Sequence, residues 1–342
     1  PAEEPSGPAF EKPEFIQLDS ADLLLEIGTE ELPPTDVLAG SAQLKSAMAE
    51  RLEAERLAWS DIKVFATPRR MVILVKDLAG RQPDEEKWVR GPAVKSAYDE
   101  SGNPTKALEG FSRGQSVDPS TVKKRKDDKG VEYVFAHRQE KGRIAQDLLV
   151  ELLPDLISNI SFTKTMRWNS NGVAFSRPLR WIVALFCDQV IPFEYARTQS
   201  GRISRGLRPD KSPEIQFNSA SDYAVEIARA GIIVDRSQRR EAIWSQVTTQ
   251  AEAVGGTVAE DADLLDEVTD LVESPFAIRG VFDEVHLELP QEVLISVMKK
   301  HQRYFSVIHP ESGRLLPYFI TVSNGRPDDP GGVIKGNEAV IR

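Results

Sequence analysis

The residues best equipped for chemistry are few and scattered along the chain. Four histidines, His137, His286, His301 and His309, lie far apart, and Cys187 is the single cysteine. A structural zinc wants four Cys or His ligands at short spacings, so this pattern argues against one. One cysteine also excludes a disulfide framework and suits a reducing compartment. Its place at the end of the apolar run from Trp181 predicts a small buried thiol. No phosphate-cradling fingerprint occurs. Gly331, Gly332, Lys335 and Gly336 only approach one, and they read as a polar turn.

Carboxylates cluster at Glu260, Asp261, Asp263, Asp266, Glu267, Asp270 and Glu273. Spacings near three and four place several of them on one helix face, where a solvated acidic surface is a simpler reading than a paired acid and base. Glu30 and Glu31 directly follow an apolar run, a position at which α/β folds hold ligands. A cap-and-turn role explains that pair more simply.

Basic residues interleaved with aromatics carry more information. Lys164, Arg167 and Trp168 are followed by Arg177, Arg180 and Trp181, then by Arg202, Arg205 and Arg208. Guanidinium groups pair phosphates bidentately and stack on bases, so such clusters make local RNA footprints. An interdomain or subunit interface explains them equally well. Arg69 and Arg70 sit at a tight turn, compatible with a phosphate contact or with plain exposure. Lys300 and Arg303 close a predicted helix, where cations also complement the macrodipole. The candidate RNA contacts are therefore Arg69, Arg70, Lys164, Arg167, Trp168, Arg177, Arg180, Arg202, Arg205, Lys300 and Arg303.

These footprints must be local. Lys plus Arg number 43 against 53 Asp plus Glu, and the net charge of −10 disfavours uniform capture of nucleic acid or an anionic membrane. No apolar run is long enough to span a bilayer, and no signal-peptide core is present, so no membrane partner is expected.

The positioning elements read as an α+β, multi-domain chain of small mixed sheets packed with helices. Residues 1–21 mix Pro and Glu as a linker does. A first mixed α/β domain over 22–80 opens with a buried strand at Asp22–Gly28, then a helix over about 36–58 capped by Thr35, and strands at 61–65 and 71–75. A loop-rich lobe over 81–130 contains one helix, with Asn103 as its cap and Gly114 beyond its end. Residues 131–215 return to the first domain through a strand at 131–136, a helix at 143–153 stopped by Pro154, and strands near 173–176 and 181–187. A second α/β domain over 216–342 begins with helices, the first capped by Ser219 or Ser221 and stopped by Gly231.

Seven ordered segments resemble the beta subunit of bacterial-type glycyl-tRNA synthetase. They are LLLEIGTEELPP at 23–34, ATPRR at 66–70, RGPA at 90–93, KTMRW at 164–168, FSRPLRW at 175–181, LLDEVTDLVESP at 264–275 and KKHQRYF at 299–305. The resemblance implies a non-catalytic N-terminal stretch of the beta region. It would support ATP-dependent charging of tRNA(Gly) through scaffolding and tRNA contact. ATP and Mg are expected in the alpha catalytic region, and no cofactor in this one. The implied partners are tRNA(Gly), the alpha region and a second copy of the full-length chain. The Pro/Glu linker looks like the joint of a fused alpha-beta chain, as in plant organelles. That implies the chloroplast stroma, with the mitochondrion as a second compartment, or the cytoplasm for a bacterial source. A purely structural assembly module is the alternative, and a hydrolytic editing domain a weaker third.

Overall fold

The computed structural model describes residues 14–128, 130–170 and 172–341, so most of the expected linker lies outside the described residues. The chain opens with β1 (Ser20–Thr29), α1 (Pro34–Ala54) and the hairpin of β2 (Asp61–Thr67) and β3 (Arg70–Ala79). A lobe follows, built of β4 (Glu85–Ala93), α2 (Val94–Ala97), α3 (Lys106–Gln115), β5 (Lys123–Lys126) and β6 (Glu132–Glu140). The return runs through α4 (Ala145–Ser158), β7 (Met166–Arg167), β8 (Ala174–Phe175) and β9 (Leu179–Phe186). Next come β10 (Gln189–Val190), β11 (Glu194–Tyr195), β12 (Thr198–Gly201), β13 (Ile203–Arg205), β14 (Glu214–Gln216) and α5 (Tyr223–Arg229).

β1 is nearly continuous in apolar residues because both of its faces are covered. It lies inside the sheet ordered β11-β12-β9-β1-β3-β2, antiparallel to both β3 and β9. Leu23, Leu25 and Ile27 pack with Leu44, Met48 and Leu52 of α1 and with Leu149 and Leu153 of α4. Leu24 faces the other way, against Trp181, Phe217, Tyr223 and Ile227. Glu26 shares that second face and is fully buried there, which makes its partners the central question about this sheet.

The last part of the chain forms its own layer. α6 (Arg236–Glu252) and α7 (Ala262–Thr269) cover a sheet ordered β15-β17-β18-β16, formed by Thr257–Val258, Phe305–Ile308, Leu315–Asn324 and Pro275–Val281. Ile243, Val247, Leu264 and Val268 meet Phe305, Val307 and Ile320 in its core. α8 (Gln291–Val297) continues into a π-turn at Met298–Gln302, and α9 (Pro330–Ile341) closes the described chain.

Several local expectations need correction. α1 starts at Pro34 with Pro33 at its N-cap and no side-chain cap, so Thr35 lies inside the first turn. Asn103 does not cap α3. Its N–H is tied to Asp99 at 2.8 Å, and Thr105 takes the cap position. α4 passes through Pro154 to Ser158, because Leu152, Leu153, Leu156 and Ile157 form one buried stripe whose packing outweighs the proline penalty. Cys187 is half-buried, not buried: the apolar run ends at Phe186, and Cys187 forms the β9–β10 turn with φ 56°. The glycines near 331 lie inside α9, since Asp329 accepts the Gly332 N–H at 2.9 Å and Pro330 provides a first helical position.

Two packing boundaries also differ from expectation. β6 pairs with both β4 and β5, so the lobe's sheet runs to Glu140. Residues 217–232 supply Phe217, Tyr223 and Ile227 to the second face of the first sheet, and the following unit's core begins with α6.

Candidate nucleic-acid interface and a buried ion-pair hub

The turn between β2 and β3 directs two arginines inward. β2 and β3 pair at Thr67 and Arg70, leaving Pro68 and Arg69 as a two-residue loop. Arg70 is fully buried and Arg69 is 6% exposed. Arg70 Nε donates to Glu273 Oε1 at 2.8 Å, its Nη1 to Ser204 Oγ at 3.1 Å, and its Nη2 to the Arg205 carbonyl at 2.7 Å. Its Nη1 also lies 3.6 Å from Glu26. Glu26 in turn accepts from Trp181 Nε1, from Ser204 Oγ and, at 2.6 Å, from the Tyr223 hydroxyl. Thr67 Oγ1 donates to Glu273 at 2.6 Å. Arg69 donates to the Gly206 carbonyl at 3.0 Å and to Ser212 Oγ at 3.2 Å. Both guanidinium carbons stand 5.5 Å from the Trp181 ring.

Gly28 makes this arrangement possible. A Cβ there would sit 2.0 Å from two Trp181 ring atoms, so the indole needs a residue without a side chain on β1. A third arginine extends the hub to the following unit. Arg239 of α6 is fully buried and donates to the carbonyls of Thr269, Ile233, Val234 and Ala66.

The electrostatics hold the hub in its charged form. Burial pushes the Glu273 carboxyl up, but Arg70, Thr67 and Arg69 outweigh it and its pKa falls below the usual carboxylate value. Burial acts against the Arg70 guanidinium as well, yet Glu273 and Glu26 hold its pKa above the ordinary arginine value. Tyr223 is pushed well up by burial and by Glu26, so it stays a donor. Arg239, desolvated among carbonyls, drops to about 10 and remains charged at neutral pH. Arg69 and Arg70, expected at an exposed turn tip, thus have almost no surface to offer a ligand. Their charges are spent on joining β1, β3, β13, α5 and the segment after α7.

The other candidates divide by what neutralises them. Arg180 is exposed and pairs with Glu30 at 2.6 Å, and Arg208 binds both Glu30 and Glu31. The Glu30-Glu31 turn is therefore braced by arginines. Arg205 pairs with Glu214 at 3.1 Å. Arg202 caps the carbonyls of Asp188, Phe217 and Asn218. Arg303 pairs with Glu267 of α7 at 3.0 Å, and Lys300 stands exposed on the same π-turn, so these two sit on the second unit.

What remains lies on the β7–β8 hairpin. Lys164 and Arg167 are exposed and Arg177 is half-buried. Arg167 Nε donates to the Gly172 carbonyl at 3.1 Å, while Arg177 Nη1 donates to the Ser176 carbonyl at 3.0 Å and reaches Met166 Sδ at 3.8 Å. None of the three has a carboxylate partner among the described residues. Met166 is 46% exposed beside them, and Trp168 anchors the hairpin on the first core. The three cations lie on or beside the β7–β8 hairpin, Arg177 against Met166 and Arg167 turned to the Gly172 carbonyl, whereas Trp181 turns inward.

Sequence reasoning missed the hub's acids. Glu26 was legible as a charge set among the apolar residues of β1, and Glu273 was grouped with an acidic surface. Among the described residues, no cluster of three or more His, Cys, Asp or Glu could hold a metal ion, and no helix is long and apolar enough to cross a membrane.

The sequence profile described as "Glycyl-tRNA synthetase beta subunit" matches residues 23–342. The chain belongs to that family. It is 45% identical over 329 residues to the chloroplastic/mitochondrial glycine–tRNA ligase 2 of Arabidopsis thaliana, covering 96% of this chain and 30% of the plant protein. It is 45% identical over 321 residues to the glycine–tRNA ligase beta subunit of Desulfitobacterium hafniense, and 44% identical over 323 residues to that of Geobacter sulfurreducens. Those matches cover 94% of this chain but only 46% and 47% of the two bacterial proteins.

Proposed function

We propose that this region supports the charging of tRNA(Gly) by binding the tRNA and bracing the assembly, and that adenylation and transfer occur in a separate alpha region. The observation that carries the tRNA contact is the β7–β8 hairpin, on or beside which Lys164, Arg167 and Arg177 have no carboxylate partner among the described residues, on a chain of net charge −10. Cations left unneutralised on an acidic protein favour an anionic partner, and phosphate oxygens satisfy guanidinium and ammonium donors well. Holding the tRNA near the alpha site lowers the entropic barrier of the transfer step. The buried acids support the non-catalytic role. Glu26 and Glu273 are sequestered by Arg70, Tyr223 and Thr67, leaving neither free to shuttle a proton. ATP and Mg belong to the alpha region in this reading, and the full-length chain works as a homodimer in a plant organelle or in a bacterial cytoplasm.

Titration of tRNA(Gly) against salt tests the contact. Lys164→Ala with Arg167→Ala should weaken binding and reduce the log–log salt slope by about 2, near 0.9 per phosphate released. Equal affinity and slope in both proteins would assign the hairpin to assembly. The assembly reading has an observation of its own: Val285, Leu289, Val293 and Val297 are each about half exposed around α8.

A further inference from the structure

Among the described residues, helices cover one face of the lobe's sheet, and the rings Trp88, Tyr133 and Phe135 on the other face are half-buried. Helices α2 and α3 pack on the side of Val134 and Ala136, with Ala97, Leu108 and Phe111 completing a small core. Alternation along the strands sends a different set of residues to the opposite side. The register places Trp88 across from His137, Arg90 across from Phe135, Lys123 also across from Phe135, and Arg125 across from Tyr133. The open face therefore combines Trp88, Phe135, Tyr133 and His137 with Arg90, Lys123 and Arg125.

These groups already touch one another. Trp88 and His137 stack with centroids 4.6 Å apart. Arg125 lies 4.0 Å and Lys123 5.2 Å from the Trp88 ring centre, and Arg90 lies 3.4 Å from that of Tyr133. Lys123 and Arg125 are exposed, as are their neighbours Lys124 and Lys126. The opposing charges are Glu86, 3.3 Å from His137, and Asp127, 3.8 Å from Arg90. Positive charge thus prevails along β5.

We propose that this face binds an unpaired segment of RNA, with Trp88 and Phe135 stacking on bases and Lys123 and Arg125 pairing phosphates. The proposal rests on the reading that this region touches tRNA, and it specifies a second contact distinct from the β7–β8 hairpin. Charge complementarity selects the occupant: a strand of phosphates matches β5, and flat bases match the ring faces beneath. An exposed cation–π contact is worth less than base–aromatic stacking, so a base displacing Arg125 from Trp88 gains stacking and frees the guanidinium for a phosphate. Duplex RNA keeps its bases stacked inside the helix and offers only its backbone, so the same face discriminates against it.

The test uses the intact ligase, a fluorescein-labelled single-stranded octaribonucleotide, a hairpin duplex of equal length, and tRNA(Gly). Trp88→Leu removes the ring while keeping an apolar side chain. Lys123→Glu with Arg125→Glu changes exposed positions only and keeps the test open if Trp88→Leu disturbs the lobe. The single strand should bind roughly tenfold or more tighter than the duplex, and Trp88→Leu should weaken it roughly tenfold. The charge-reversal pair should weaken it too and lower the salt slope by roughly 1 to 2, near 0.7 per phosphate. Both variants should lose affinity for tRNA(Gly). Unchanged single-strand and tRNA affinities in both variants overturn the proposal. If the Lys164 and Arg167 substitutions still weaken tRNA binding in that case, the proposed function stands without the lobe. Absence of any tRNA binding by the wild type overturns both.

Discussion

Replacing Arg70 by methionine removes the cation shared by two buried carboxylates while preserving most of the side-chain volume. Arg70, Glu26 and Glu273 are all fully buried, so solvent cannot compensate for the change. Breaking one partner of such a pair costs about 3–5 kcal/mol. The Arg205 carbonyl and the Ser204 hydroxyl lose donors at the same time. Against a typical total stability of about 5–15 kcal/mol, such a loss lowers the thermal midpoint by roughly 10 °C for a domain of this size. The pH dependence is more diagnostic than the size. In the wild type the Glu273 pKa lies below 4.5, so its contribution is complete above 4.5 and is lost as pH falls through the folded value. Without Arg70, burial dominates and the folded pKa rises above 4.5. Glu273 then favours the folded state at low pH and loses that contribution as pH rises through the raised value. The deficit of Arg70→Met should therefore be full at pH 7 and shrink towards pH 4, and adding Glu273→Gln should recover part of it. Urea denaturation across pH 4–8 measures this. A deficit below about 1 kcal/mol at pH 7, or one that ignores pH, would refute an ion pair as the hub's organising contact.

Gly28→Ala should displace the Trp181 indole, since the new Cβ would lie 2.0 Å from its ring. The expected loss is about 1–3 kcal/mol with a changed near-ultraviolet spectrum, read by denaturation and circular dichroism. Cys187→Gly relieves a side chain at φ 56° in the β9–β10 turn and should stabilise the protein by up to about 1 kcal/mol in urea. The native Cys187 thiol, half-buried at that turn, should react with a thiol reagent before the protein unfolds.

The first sheet was readable because its physics is local. β1, β2, β3 and β9 announce themselves as short apolar runs between turn residues, and the stripe of Leu44, Met48 and Leu52 gives α1 its buried face. Helix ends were less legible. Thr35 and Asn103 have the chemistry of caps, but Pro33 and the Asp99 turn had already fixed the backbone around them. Proline 154 and the glycines of α9 show tertiary packing and a good N-cap overriding local propensity. The family segments were visible as strings, yet their meaning was not. ATPRR looked like an exposed turn, because nothing in its spacing reveals that Glu26 and Glu273, 44 residues before and 203 residues after Arg70, converge on it. The aromatic face of the lobe was hidden for a related reason. Trp88, Lys123 and Phe135 belong to three strands and meet only through the β4-β6-β5 register.

The central claim is that this region delivers tRNA to chemistry performed elsewhere. The most direct test compares two activities of the intact ligase carrying Lys164→Ala and Arg167→Ala. The account predicts glycine-dependent ATP–pyrophosphate exchange equal to the wild type, together with a raised KM for tRNA(Gly) in charging. Exchange lost along with charging, or charging with an unchanged KM, would contradict it.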